Sequence, residues 1–120
     1  MAHYPFTGNA NDESGNGNNG TVFGATLALD RWGNPNSAYS FDGSDDYIDI
    51  GGAPSLKMTE AVTISTWINL QDLGSWPEWQ NIISDHGPNE VTEGPGKILR
   101  FHGNQIEFHV GGVYGFGTAI

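Results

Sequence analysis

Short runs of β-branched and aromatic residues, each closed within a few positions by Gly, Asn, Pro or Asp, recur along the whole chain. TVFGATLAL, SAYSF, DYIDI, AVTISTWINL, QNIISDH, KILRFHG and QIEFHVGG are the clearest, with AHYPF before them and VYGFG after. With 18 Gly and 6 Pro in 120 residues, punctuation falls too often for a long helix, and no segment carries a helical period. The expected fold is all-β: an antiparallel two-sheet β-sandwich.

Two runs carry the detail. AVTISTWINL alternates, with Val62, Ile64, Ile68 and Leu70 on one side and Thr63, Ser65, Trp67 and Asn69 on the other, as a half-buried strand does. KILRFHGNQIEFHV reads as a hairpin, because Gly103-Asn104 supplies the positive φ values that a tight turn requires. Neither repeats nor linkers interrupt the chain, so a single domain over residues 1–120 is expected.

Charge narrows the partners. Four Lys and Arg stand against 14 Asp and Glu, for a formal charge of -10. Such a chain does not bind by neutralising phosphate, so nucleic acid is excluded as a partner. No apolar run approaches the ~18 residues of a membrane span, so membrane insertion is not expected. The start MAHYPF has none of the regions of a signal peptide. With no Cys, the chain has no disulfide, thiolate metal site or Cys nucleophile.

The succession YPFTGNANDESGNGNNGTVFGATL, DRWGNPNSAYSFDGSDDYIDI and AVTISTWINL resembles the laminin-G-like domains of the concanavalin A-like lectin/glucanase superfamily, of the type found in secreted bacterial proteins. The resemblance is close over residues 2–70 and only one of pattern from Gln80 onward. It implies a jelly roll, a place in a secreted or cell-surface protein, and further C-terminal strands after Ile120. The chain is then the front part of such a domain. It is then either incomplete or completed by a second chain, in a homodimer through its C-terminal strands, where Ile106, Phe108 and Val110 make an apolar row.

Candidate sites follow. Residues 8–20, GNANDESGNGNNG, hold five Asn and four Gly with Asp12 and Glu13, a loop that is costly to order. Its oxygens suit Ca²⁺. The resemblance implies a structural Ca²⁺ at Asp12, with Asn9 and Asn18 as further ligands; the alternative is a metal-free turn in which Asp12 and Ser14 bond nearby N–H groups. In FDGSDDYIDI the acids Asp42, Asp45, Asp46 and Asp49 read as turn and outward-facing strand residues, the alternative being a second cation site. Trp76 and Trp79, in QDLGSWPEWQN, and Trp67 on a polar strand face offer flat rings for the C–H face of a sugar; the alternative is packing at the core rim. His102, Glu107 and His109 flank the hairpin turn as ordinary cross-strand polar neighbours.

The superfamily includes glucanases, but the paired carboxylates of a retaining glycosidase and a Gly-x-Ser-x-Gly elbow are both missing. The expected function is therefore a non-catalytic binding module, carbohydrate-binding and stabilised by Ca²⁺, whose partner is a glycan or an extracellular protein. A structural or adhesive spacer domain is the alternative.

Overall fold

A computed structural model describes residues 1–57, 61–71, 79–85, 97–103 and 105–110. The chain divides into two units, Met1–Thr63 and Ile64–Ile120, within the span expected as one domain. All regular structure among the described residues is β, apart from one 3-10 turn at Pro54–Leu56, and every ladder is antiparallel. No described helix is long and apolar enough to cross a membrane.

In the first unit, the run TVFGATLAL breaks into two short strands, β1 (Thr21–Phe23) and β2 (Thr26–Ala28). The break sits at Gly24, whose φ of +76° lies in the left-handed region that favours glycine. Ala25 N–H closes the corner onto Phe23 O at 2.9 Å. Each half then takes its own partner: β1 pairs with β4 (Tyr47–Asp49), and β2 with β3 (Ala38–Ser40). Across the first ladder Phe23 stacks on Tyr47, ring centroids 4.6 Å apart, the cross-strand aromatic pairing that stabilises a short ribbon.

The run AHYPF was expected as a strand and is not one. Pro5 has no N–H to give a ladder, and Phe6 holds a φ of +57°, which turns the chain away from an extended path. Gly8 N–H stabilises this corner by donating to Phe6 O and to Asn36 O. The Phe6 ring meets Tyr39 of β3 edge-on at 5.3 Å and stacks beside Tyr4.

In the second unit, β5 (Trp79–Ser84), β6 (Lys97–His102) and β7 (Gln105–Val110) form a three-stranded sheet in that order. The expected β6–β7 hairpin is present, with Arg100 opposite Glu107, His102 opposite Gln105 and Gly103 at a φ of +57° in the turn. A register shift between Asn81 and Ile83 interrupts the β5–β6 ladder. Phe101 is buried in this sheet, with Leu99 and Phe108 half-buried on the same face.

AVTISTWINL departs from expectation. Val62 and Ile64 are half-buried between exposed neighbours, but residues 65–70 are all exposed and the run forms no ladder among the described residues. Alternation places side chains; only a bonded partner makes a strand. VYGFG, on which the dimer expectation partly rests, lies outside the described residues.

Gly24 yields a test. A Cβ there would run into the Asp46 carboxylate, whereas at Gly17, also at positive φ, it would meet open space. Gly24→Ala should cost about 2–3 kcal/mol and Gly17→Ala about 1 kcal/mol. Urea melts of the two variants check the ordering, and equal small losses would mean that the corner at Gly24 is not built as described.

Candidate functional site

The loop of residues 8–20 is organised around Asp12. Its Oδ1 accepts the backbone N–H of His3 and of Ser14, each at 2.9 Å. Its Oδ2 accepts Asn18 N–H at 3.1 Å and Asn18 Nδ2 at 2.9 Å. Asp12 N–H donates to Asn19 Oδ1 at 3.0 Å. Asp12 is 8% exposed and Asn18 5%, so the contacts are shielded from water. The Ser14 side chain first, then the His3 N–H, hold the Asp12 carboxyl far below the usual carboxylate range, against the opposing effect of burial.

Asn18 carries the connection outward. Its carbonyl accepts the Tyr4 hydroxyl at 2.6 Å and its Oδ1 accepts the Ser55 hydroxyl at 2.9 Å. Burial first, and the charge of Asp12 second, push the Tyr4 hydroxyl up from its ordinary value. Glu13 N–H donates to His3 O, and the Ser14 hydroxyl and Asn16 Nδ2 both donate to Met1 O. The first residues of the chain are thus tied to the loop at several points.

This arrangement fits Ca²⁺ poorly. The ion needs about six to eight oxygens with free lone pairs, whereas both Asp12 oxygens are turned to N–H donors. Asn18 directs its nitrogen at Asp12 and its oxygen at Ser55, and Asn9 Oδ1 accepts Asn11 N–H at 2.8 Å. The loop's own hydrogen bonds offset part of its ordering cost.

Asp42, Asp45 and Asp46 place carboxylate oxygens within 4.8 Å of one another, the one such acidic or His-containing cluster among the described residues. Asp46 Oδ2 accepts Asp42 N–H and Asp42 Oδ1 accepts Ser44 N–H, both at 2.8 Å. They are the turn residues that the sequence suggested.

On the second unit, Glu107 gathers three neighbours. Arg100 Nε donates to Oε2 at 3.0 Å, His109 Nε2 stands 3.1 Å from the same oxygen, and His102 Nδ1 is 3.2 Å from Oε1. Burial is the largest single influence on Glu107 and pushes its carboxyl up. Hydrogen bonds with His109, Arg100 and His102, together with the Arg100 charge, outweigh it and leave the value lowered. Since the guanidinium shares Oε2 with His109 and also lies 3.3 Å from His109 Nε2, the cluster is a cross-strand charge network and not a metal cage.

Of the three expected sugar-contacting residues, Trp67 is 78% exposed. Trp79 stands in β5 at the register position opposite His102. Its side chain and all of Trp76 lie outside the described residues. Trp32, which the sequence reading passed over, is 71% exposed. It sits on the β2–β3 connection, where Asp30 accepts Trp32 N–H at 2.8 Å, Asn34 N–H at 2.9 Å and Asn34 Nδ2 at 2.9 Å. The Arg31 guanidinium lies over its ring, 3.8 Å from the centroid. The signal was Asp30-Arg-Trp-Gly33, an acid and a glycine at turn spacing around a Trp.

Comparison with family models, with curated proteins and with solved structures finds no match in any of the three.

The Asp12 contacts predict a pH response. Because the folded carboxyl is lowered from 3.8, its contribution is fully present above the unfolded value and is lost as pH falls toward the folded one. Asp12→Asn should lower the melting temperature near neutral pH, and its melting temperature should then fall less than wild type's between about pH 5 and about pH 2. Wild-type melts in chelator and in millimolar Ca²⁺ should coincide. A rise in Ca²⁺ that Asp12→Asn abolishes would show that the carboxylate is a ligand after all.

Proposed function

We propose that the chain is a non-catalytic, carbohydrate-binding module of a secreted or cell-surface protein, built as a laminin-G-like β-sandwich of the jelly-roll type. The observation that carries this reading is the display of Trp67 to solvent at 78% exposure, beside the exposed polar residues Thr66 and Asn69. A sugar's C–H face with its hydroxyl rim is the ligand chemistry suited to an exposed ring in polar surroundings. The antiparallel ladders and the three ordered motifs support the fold half of the proposal.

The carboxyls support the non-catalytic half. A glycosidase acid needs a carboxyl raised by an apolar pocket, whereas Asp12, Asp30 and Glu107 are all lowered by their hydrogen-bond partners. None of these three is therefore the raised acid that such a reaction uses.

Titration against a panel of plant, algal and host polysaccharides tests the proposal. Trp67→Ala should weaken binding about tenfold or more with little change in melting temperature, because an exposed ring contributes little to folding. Failure to bind any member of the panel would favour the spacer domain.

A further inference from the structure

We infer that Asn16 is a site of spontaneous covalent modification: the Gly17 nitrogen attacks the Asn16 side-chain amide and converts it to aspartyl and isoaspartyl forms, while the fold protects the chemically identical step Asn19-Gly20. The sequence holds two Asn-Gly steps, and both lie in the loop of residues 8–20. A glycine after an asparagine leaves the attacking nitrogen unhindered, since no Cβ stands beside it. By residue type the two steps are equal. What separates them is how the structure holds each nitrogen and each target amide.

At Asn19-Gly20 both partners are engaged. Gly20 N–H donates to Ala10 O at 2.8 Å, and Asn19 Oδ1 accepts Asp12 N–H at 3.0 Å. The backbone is also hemmed in, since a Cβ on Gly20 would stand 2.7 Å from Ile48 Cγ2. Swinging the Gly20 nitrogen toward the Asn19 amide therefore breaks a hydrogen bond in a packed place. At Asn16-Gly17 the situation is reversed. Both residues are exposed, and a Cβ on Gly17 would meet open space. Gly17 N–H has no hydrogen-bond partner among the described residues, and its φ of +73° is one that glycine enters and leaves freely. Asn16 Nδ2 donates to Met1 O at 2.8 Å and to Ser14 Oγ at 3.0 Å. Both are surface bonds, which water replaces at small cost.

The step needs no co-reactant but water. The Gly17 nitrogen bonds to Asn16 Cγ, the Cγ–Nδ2 bond breaks, and the Gly17 N–H proton leaves with the amide nitrogen as ammonia. Water then opens the cyclic imide at either carbonyl, giving an aspartyl residue or an isoaspartyl residue whose main chain runs through the former side chain. Either product sets a carboxylate where Asn16 Nδ2 donated to Met1 O, so two acceptors face each other and that tie is lost. The isoaspartyl form also adds a methylene to the main chain just before Asn18, whose N–H and Nδ2 both donate to Asp12 Oδ2. Modification thus loosens the loop's hold on the start of the chain.

Incubation of the folded chain at mildly alkaline pH, below its melting temperature and beside a free peptide of residues 8–23, tests the inference by intact mass and by proteolytic mapping with isoaspartate detection. In the peptide the two steps should react at similar rates. In the chain Asn16 should convert about tenfold faster than Asn19, the factor set by the bond that Gly20 must first break. Gly17→Ala should slow Asn16 about tenfold or more by restricting the approach of the nitrogen, and Asn16→Gln should leave the position unmodified, with Asn19 unaffected in both. Melts of the variants check that they fold. Amide exchange at Asn18, followed by NMR, should quicken in the converted chain. Equal rates at the two steps of the folded chain, or Asn19 reacting first, overturn the inference. So does an Asn16 that stays intact while the peptide converts fully, and unchanged exchange at Asn18 overturns the loosening.

Discussion

A single carboxylate, that of Asp12, ties the start of the chain to the loop of residues 8–20 in the first unit. Among the described residues of that unit the buried ones are Ala10, Asp12 and Asn18, so two of the three are polar. A shielded charge is tolerated only when its lone pairs are met, and here N–H groups from His3, Ser14 and Asn18 meet them. Because those donors come from both ends of a loop and from the start of the chain, satisfying one charge draws three segments to one point. Asn18 then passes the constraint on to Tyr4 and Ser55.

The same device recurs at smaller scale. Asp30, Asp42, Asp46 and Asp49 each accept at least one backbone N–H from a nearby turn. With four Lys and Arg against 14 acids, counter-charges are too few to balance the carboxylates. Backbone dipoles take much of that role. The acidity of this chain is thus in part a way of building turns, and the turns in their backbone bonds carry Trp32 as a projecting ring.

Much of this was legible in the residues. The break-and-run pattern showed an all-β chain, and KILRFHGNQIEFHV showed its hairpin, because turn chemistry and alternation both act locally. The loop of residues 8–20 could be seen to need something to hold it, but the reach of His3 N–H to Asp12 from nine residues away could not. AHYPF misled because Phe6 takes a left-handed φ that no propensity foretells. AVTISTWINL misled because alternation says nothing about whether a ladder partner is at hand. Trp32 was passed over because a Trp in a turn reads as incidental until its exposure and the Arg31 guanidinium over its ring are known.

The account turns on the Asp12 hydrogen bonds standing without a cation. Amide hydrogen exchange at His3, Ser14 and Asn18, followed by NMR in chelator and in millimolar Ca²⁺, measures this most directly. If Asp12 itself is the organiser, the three amides are protected to the same degree in both conditions and lose protection together in Asp12→Asn. Protection that appears only with Ca²⁺ would contradict the account and return the loop to the cation.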